Sequence, residues 1–213
     1  MNRDISSIRR DYQFEDLLEE STPNDPLQVF DEWLNKAIET CPEDPTAMTL
    51  STVDQNNKPH ARVVLLKQRS EEGFSFFTNY SSNKGEQIAH NNNACLTFFW
   101  PSLSRQVRIE GQIKKLSRNI SEAYFLSRPK GSQLAAMASN QSQPVAHRED
   151  LHESVKRLEQ EYVNSSIPCP DNWGGYILEA DYIEFWQGRP SRLHDRLSYE
   201  KKDDGWVRTR LAP

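Results

Sequence analysis

Cysteine is scarce in this sequence of 213 residues, which has only Cys41, Cys95 and Cys169 and no CxxC pair. Their odd number and wide spacing argue against a disulfide framework and against a zinc site. Glycine is also scarce: the eight glycines are scattered and form neither a GxGxxG motif nor a Walker A loop. Any phosphate group would therefore have to be bound by side chains.

Long apolar runs are missing as well. No stretch approaches the roughly 20 residues of a membrane-spanning helix, and the first residues lack the apolar core of a secretory signal. We therefore expect a cytoplasmic protein with no membrane partner. The HExxH and GxSxG motifs are absent too. His147 and His152 lie five residues apart in a polar segment, a pattern typical of solvent-facing side chains, so we predict no metal site.

Charge is distributed unevenly along the chain. The formal net charge is −5 and the isoelectric point is about 5.6, yet residues 61–130 contain 11 basic and 5 acidic side chains. The acidic total disfavours a general nucleic-acid binder. The basic segment still leaves open a non-enzymatic barrel that binds single-stranded nucleic acid. Most aromatic residues fall at strand positions typical of a core, which weakens this alternative.

The secondary-structure signals favour a mainly β domain. Residues 1–24 are charged and are predicted to form an arm or a short helix, and Asp25 and Pro26 then mark a helix N-terminus. Other helices are expected from a cap at Asn83, over 120–127 with a stop at Pro129, and around 151–162, where Leu151, Val155, Leu158 and Tyr162 recur at helical spacing. Strands are predicted over 47–53, 62–67, 74–78, 94–100, 106–116, 176–180, 182–186, 192–199 and 206–211. Asp204-Gly205 predicts a hairpin between the last two strands. We predict one domain over 25–213, a closed barrel with flanking helices (α+β).

Two segments in the middle of the chain combine cations with polar groups. Arg62 and Lys67 would face opposite sides of a strand, unless a bulge intervenes or Lys67 lies at the strand end. Residues 78–84 place hydroxyls and amides where a strand runs into a helix start. This arrangement fits an anion site, and it fits a plain capped turn equally well.

Two further clusters lie in the second half of the chain. Tyr124 and Arg128 share a helical face and precede Ser132, so they form either a phosphate site or a solvated helix end. Arg192, His194 and Arg196 alternate, and a strand would place all three on one face. Because like charges side by side destabilise a sheet, this set favours an anion-binding role.

These residues belong to longer segments that resemble the pyridoxine/pyridoxamine 5′-phosphate oxidase family. The similar segments are RVVLLK (62–67), SRPKGSQ (127–133), WGGYIL (173–178), IEFWQG (183–188), RLHDR (192–196) and RLAP (210–213). The resemblance runs from about Arg9 to Pro213. It implies an FMN-binding split β-barrel that forms a homodimer, with FMN at the subunit interface.

The resemblance also implies which residues contact each ligand. FMN would contact Arg62, Val63, Val64, Leu65, Leu66, Lys67, Phe77, Thr78, Asn83, Lys84, Gln106, Gln141, Ser142, Trp186 and Arg196. The substrate phosphate would be held by Lys67, Tyr124, Arg128 and Ser132. The pyridine ring would lie against the catalytic residues Arg192 and His194, and against Leu193. Arg9, Arg10, Asp11 and Tyr12 would fold over the substrate as a lid within the arm 1–24.

The implied activity is that of a pyridoxal 5′-phosphate synthase of vitamin B6 biosynthesis. Pyridoxamine or pyridoxine 5′-phosphate would lose a hydride to FMN, and O₂ would reoxidise the flavin to give H₂O₂. Two positions depart from the family pattern: Asn83 replaces a common arginine, and the segment after Tyr12 is acidic. A related split-barrel flavin reductase, or a flavoprotein with another substrate, is the alternative within this fold.

Overall fold

The computed structural model describes residues 16–41 and 43–213. The predicted lid residues Arg9–Tyr12 lie outside the described residues. In the described part of the chain, no helix is both long and apolar enough to cross a membrane.

Nine strands and five α-helices are present in the described residues. The strands are β1 (Ala47–Val53), β2 (Pro59–Leu65), β3 (Gln68–Ser70), β4 (Gly73–Asn79), β5 (Asn93–Trp100), β6 (Arg105–Lys115), β7 (Trp173–Gln187), β8 (Asp195–Lys202) and β9 (Gly205–Arg210). The helices are α1 (Pro26–Thr40), α2 (Asn83–His90), α3 (Arg118–Ser127), α4 (Lys130–Ala138) and α5 (Arg148–Glu161). The predicted class, mainly β with helices, is confirmed.

All nine strands belong to one sheet. Its hydrogen-bonded order is β2-β1-β5-β6-β7-β4-β3, and β8 pairs with both β7 and β9. The pairs β3/β4, β4/β7, β7/β8 and β8/β9 are antiparallel. By contacts the chain separates into two compact units: the first holds the described residues up to Thr49 with Cys95–Glu110 and Ala180–Pro213, and the second holds Leu50–Ala94 and Gly111–Glu179. The two units are described separately below.

Aromatic residues dominate the core of the first unit. Phe30 of α1 contacts Phe98 edge-on, with ring centroids 5.1 Å apart, and Trp33 contacts Phe185 at 5.2 Å. Phe185 also meets Tyr199 of β8 at 5.7 Å. All these side chains except Trp33 are fully buried, and Trp33 is nearly so. Edge-to-face packing of this kind stabilises a core beyond the apolar area that it buries.

The second unit has its own apolar cluster. Phe125, Leu134, Ile167 and Trp173 are buried together. Three of the four residues predicted from helical spacing, Val155, Leu158 and Tyr162, pack against this cluster. This cluster fixes α3, α4 and the start of β7 relative to one another.

Several predicted boundaries were wrong for identifiable reasons. The predicted strands 176–180 and 182–186 are one continuous strand, β7. The cap of α2 is Ser82, whose hydroxyl accepts from the Gly85 N–H, while Asn83 is the first helical residue. A helix, α4, follows Pro129 directly, because proline stops α3 and also suits a helix start. The predicted hairpin between the last two strands is confirmed by the pairing of Lys202 with Gly205.

Asp25 caps α1 as the sequence predicts, since its Oδ1 accepts the Leu27 N–H at 2.9 Å. We expect Asp25→Ala to lower the free energy of unfolding by about 1 kcal/mol, because one helix N–H loses its acceptor. Urea denaturation measures this difference. Asp25→Asn keeps an acceptor and should retain most of the stability; equal losses in both variants would contradict the capping role.

Candidate functional site

The second unit contains an open cavity of about 650 Å³. Its walls come from the end of β2, from β4, from α3 and α4, and from Trp173 at the start of β7. Among the lining residues are the aromatic rings of Phe77, Tyr124 and Trp173 and the cations Lys67 and Arg128. A cavity with a flat aromatic wall and cationic groups suits a planar ligand that carries an anionic group.

Three stacked aromatic rings form one wall of this cavity. The Phe77 ring lies 3.8 Å from that of Tyr124 and 5.7 Å from that of Trp173. The rings of Tyr124 and Trp173 are almost parallel, with an interplanar angle of 3°. The stack therefore holds the Tyr124 side chain of α3 against two strands of the sheet.

Two glycines beside Trp173 permit this close approach. Gly175 pairs with Phe77 across β4 and β7, and a Cβ at Gly175 would lie 2.8 Å from the Phe77 ring. A Cβ at Gly174 would lie 2.2 Å from the Tyr80 hydroxyl. Both distances are shorter than van der Waals contact, so a larger residue at 175 would displace the Phe77 ring of the aromatic wall, and one at 174 would displace Tyr80. The WGG sequence at 173–175 thus has a packing reason.

Arg128 is a partly buried cation that lines this cavity. It follows α3 directly, and its guanidinium carbon lies 4.8 Å from the centre of the Trp173 ring. Its Nη1 is buried and has no hydrogen-bond partner among the described residues. Burial lowers the pKa of Arg128. Because a buried guanidinium nitrogen without an acceptor is costly, this geometry indicates an anionic ligand.

The turn between α3 and α4 keeps Arg128 in place. The Gln133 side chain donates to the carbonyl oxygens of Leu126 and Arg128, at 3.1 and 2.8 Å. Ser132 also lines the cavity, and its N–H donates to the Pro129 carbonyl at 2.8 Å. The predicted set of Tyr124, Arg128 and Ser132 is thus brought to one cavity.

A second cation, Lys84, sits in a set of polar groups. Its Nζ donates to Thr78 Oγ1 at 3.1 Å, to Ser82 Oγ at 3.3 Å and to Gln141 Oε1 at 3.0 Å. Thr78 also donates to Gln141 at 3.0 Å. Thr78 and Gln141 line the cavity. The structure therefore unites Thr78, Lys84 and Gln141, which are distant in sequence.

Arg62 is held by a separate set of oxygen acceptors. Its guanidinium donates to Thr52 Oγ1 at 2.6 Å, to the Leu50 carbonyl at 3.1 Å and to Gln87 Oε1 at 2.8 Å. Burial lowers the pKa of Arg62. Burial, and then the charge of Arg62, lowers the pKa of Lys84.

In the described part of the chain, the side chains of Arg62 and Lys84 donate to neutral oxygens. In residues 16–41 and 43–213, no carboxylate forms an ion pair with Arg62 or Lys84. Two neighbouring cations that are partly desolvated and repel each other fit a phosphorylated ligand such as FMN.

Four other residues predicted to contact FMN also belong to the second unit: Val63, Lys67, Asn83 and Ser142. Strand β2 ends at Leu65, and Lys67 lies beyond the strand end and lines the cavity. The alternation of side chains between the two faces of a strand therefore applies to Arg62 but not to Lys67. Val63 is 67% exposed. Asn83 is exposed and lines a separate cavity of about 230 Å³. Ser142 is exposed and has a left-handed backbone, with φ of 72°.

The other predicted site residues belong to the first unit. They are Gln106, Trp186, Arg192, Leu193, His194 and Arg196. The ring of His194 lies 4.7 Å from that of Trp186, and its Nδ1 accepts the Arg189 backbone N–H at 3.0 Å. Burial, and then the charge of Arg192, lowers the pKa of His194. A neutral imidazole with Nδ1 as acceptor carries its proton on Nε2.

The prediction that Arg192, His194 and Arg196 share one strand face was wrong. Strand β8 begins only at Asp195, and Arg192 lies in a turn with a left-handed backbone, at φ of 63°. Arg196 is paired: its Nε and Nη2 each donate to the Glu184 carboxylate at 3.0 Å. The charge of Arg196 is therefore balanced by a carboxylate that is 3% exposed.

Sequence reasoning missed four residues that hold the predicted ones. Gln87 and Thr52 orient Arg62, Gln133 holds the Arg128 turn, and Glu184 pairs with Arg196. Glu184 and Gln133 had a signal, since they lie within the IEFWQG and SRPKGSQ segments. Thr52 and Gln87 meet Arg62 from other elements, through contacts that no local spacing encodes.

Comparisons with known proteins identify similar chains. Residues 34–161 match the family model described as "Pyridoxamine 5′-phosphate oxidase", and residues 173–213 match "Pyridoxine 5′-phosphate oxidase C-terminal dimerisation region". A pyridoxine/pyridoxamine 5′-phosphate oxidase of Pseudomonas paraeruginosa is 49% identical over 215 residues, which covers 100% of both chains. A protein named pyridoxine/pyridoxamine 5′-phosphate oxidase 1, of Hydrogenovibrio crunogenus, is 50% identical and covers 100% of this chain and 99% of the relative.

Solved structures support the same fold. PhzG from Burkholderia lata, solved with tetrahydrophenazine-1-carboxylic acid, has a TM-score of 0.88 and 27% identity, over 94% of this chain and 99% of that one. A pyridoxamine 5′-phosphate oxidase-related, FMN-binding protein of Nostoc punctiforme has a TM-score of 0.69 and 16% identity, over 87% and 96% of the two chains. These likenesses confirm the predicted split β-barrel.

Proposed function

Because the chain belongs to the pyridoxine/pyridoxamine 5′-phosphate oxidase family, we propose that it is the FMN-dependent oxidase that converts pyridoxamine and pyridoxine 5′-phosphates to pyridoxal 5′-phosphate. The observation that carries this proposal is the cavity of the second unit. There, a buried guanidinium nitrogen of Arg128, without a partner among the described residues, lies next to a wall of stacked aromatic rings. This combination suits a planar ring that bears a phosphate group.

The substrate phosphate is proposed to bind Arg128, with Lys67, Tyr124 and Ser132 around it. All four side chains line the same cavity. Arg128 offers its buried Nη1, and Lys67 is exposed at the end of β2. Charge-assisted hydrogen bonds of this kind contribute about 1.5–3 kcal/mol each. The phosphate contacts would fix the register of the pyridine ring in the cavity.

The cofactor is proposed to bind Arg62, Thr78, Lys84 and Gln141. The donor set fits FMN because two cations, each held by neutral oxygens, lack a negative partner in the described chain. When bound, FMN would supply the redox chemistry by taking a hydride from the carbon that bears the amine or hydroxyl group, and O₂ would reoxidise it with formation of H₂O₂. The substrate also loses its N–H or O–H proton to solvent, which gives the aldehyde directly from the alcohol; from the amine it gives an imine that water hydrolyses to the aldehyde and ammonia.

The chain's own residues bind and orient the substrate. Arg192 and His194 are proposed to contact the pyridine ring, where Arg192 aligns the reacting carbon. The Nδ1 of His194 accepts the Arg189 backbone N–H, so the proton of its neutral imidazole lies on Nε2. We therefore assign His194 to orientation of the substrate rather than to abstraction of a proton. Trp186 supports the His194 ring.

A homodimer with FMN at the subunit interface is also proposed. Residues 173–213 match a family region described as a dimerisation region. Val63 of β2 is 67% exposed and Phe99 of β5 is 56% exposed, which leaves apolar side chains for a partner to cover.

The purified protein provides the test of this function. We expect it to show the absorption spectrum of oxidised flavin and to lose the visible band when pyridoxamine 5′-phosphate is added without oxygen. Admitting air should restore the band and release pyridoxal 5′-phosphate and H₂O₂ in equal amounts. Unphosphorylated pyridoxamine is the matched control and should react far more slowly.

Two other outcomes would contradict the proposal in different ways. A protein that binds no flavin would remove every flavin-based function and revive the nucleic-acid hypothesis. A protein that binds flavin but is reduced by neither phosphorylated vitamer would favour a related flavoprotein with another substrate. The similar structure of PhzG was solved with a different kind of ligand, tetrahydrophenazine-1-carboxylic acid.

A further inference from the structure

The loop between β7 and β8, which carries His194, has an unusual backbone conformation. Ser191 and Arg192 are both left-handed without being glycine, with φ of 55° and 63°. Such conformations persist only where neighbouring groups hold them. Backbone N–H groups brace the loop: that of Gly188 donates to the Ser104 carbonyl at 2.8 Å, that of Arg189 to His194 Nδ1 at 3.0 Å, and that of Leu193 to the Pro190 carbonyl at 3.1 Å.

Arg189 also anchors this loop through its side chain. The guanidinium Nη2 forms an ion pair with the carboxylate of Asp16, and its Nε lies 3.6 Å from Asp195 Oδ2. The Arg189 side chain is 27% exposed and that of Asp195 is 16% exposed. Arg189 therefore joins the loop to two acidic residues, one in the segment before α1 and one directly after His194.

Asp195 extends this contact into a network. Its Oδ2 accepts the Leu17 N–H at 3.2 Å, and its Oδ1 accepts from Arg210 at 2.7 Å. Arg210 in turn donates to the Leu17 carbonyl at 2.6 Å and binds both carboxylate oxygens of Glu19. The Arg210 contact lowers the pKa of Glu19 to about 2. Segment 16–19 is thus fixed to the loop and to β9 by several charged contacts.

We propose that Arg189 is a positioning residue for His194. Its backbone N–H sets the imidazole as the Nε2–H tautomer, and its guanidinium, clasped by Asp16 and Asp195, keeps the strained loop in the conformation that permits this bond. The inference rests on the proposed function only in that His194 is taken to contact the substrate. The positioning role itself is supported by the ion pair of Arg189 with Asp16 and by the hydrogen bond from its backbone N–H to His194.

The experiment reads the tautomer of His194 directly. Long-range ¹H–¹⁵N correlation spectra of the histidine-labelled, FMN-loaded protein distinguish a protonated Nε2 from a protonated Nδ1. We expect wild type and Arg189→Lys to show the Nε2–H form. Arg189→Gln and Asp16→Asn should shift the ¹⁵N signals of His194 toward a tautomer mixture. Asp181→Asn, an exposed carboxylate in the same unit, is the matched control and should change nothing.

Kinetics with pyridoxamine 5′-phosphate supply the second readout. We expect kcat to fall about 3- to 10-fold in Arg189→Gln with KM little changed, and the double variant with Asp16→Asn to lose no more than either single variant, as coupled residues do. Unchanged His194 signals in Arg189→Gln and Asp16→Asn would overturn the proposal. If the signals shift in a protein that oxidises neither vitamer, the positioning role stands and the proposed function fails.

Discussion

Arg192→Ala should lower kcat/KM for pyridoxamine 5′-phosphate on the order of 10²- to 10³-fold, because an unclamped ring no longer presents its reacting carbon in a fixed position. The side chain is exposed and no ion pair of the described chain engages it, so its removal leaves no buried group unsatisfied. The loss should therefore appear in catalysis and not in the melting temperature.

Steady-state kinetics and the rate of anaerobic flavin reduction measure this effect together. The reduction rate should fall as much as kcat does if Arg192 acts on the hydride-transfer step. Lys201→Ala removes an exposed cation of the same unit and serves as the control. An Arg192→Ala enzyme with kinetics like those of the Lys201→Ala enzyme would show that the role implied by the family resemblance does not hold here.

Arg128→Ala should raise KM for pyridoxamine 5′-phosphate about 10- to 100-fold with a smaller change in kcat, which corresponds to the loss of about one charge-assisted hydrogen bond to phosphate. The guanidinium stands over Trp173 and its Nη1 is buried without a partner in the described chain, so the ligand is expected to supply the acceptor. Its removal also relieves an unsatisfied group, so the fold should not be destabilised.

The phosphate dependence of this effect gives a strict control. The Arg128→Ala and wild-type enzymes should differ little with unphosphorylated pyridoxamine, since that substrate has no group for Arg128 to bind. Arg157→Gln, an exposed arginine on α5, should leave both substrates unaffected. An equal loss with phosphorylated and unphosphorylated substrates would mean that Arg128 supports the cavity wall instead of the phosphate.

Local sequence signals predicted those parts of the fold that depend on neighbouring residues. The range of β1, the Asp25 cap, the stop at Pro129 and the final hairpin all follow from spacing and turn chemistry, and the structure confirms them. The proximity of Tyr124 and Arg128 followed from helical periodicity in the same way.

Contacts between distant residues could not be predicted in that way. Gln141 meets Lys84 across 57 positions, and no motif linked the two before the family resemblance was considered. The prediction that Arg192, His194 and Arg196 share a strand face was wrong for a different reason. Alternating residues imply a strand, but Ser191 and Arg192 have a left-handed backbone and β8 begins only at Asp195. A pattern of alternating charges cannot reveal that Glu184 neutralises one of them.

The uncompensated charge of Arg62 and Lys84 also affects the stability of the protein in the cell. Their repulsion and desolvation are costs that the folded chain carries by itself, and a bound phosphate group would remove them. Any ligand that binds only the folded chain shifts the folding equilibrium by mass action. Binding of the proposed FMN would therefore lower the fraction of unfolded chain that proteases can cleave, so the amount of this protein in the cell would rise with the supply of flavin.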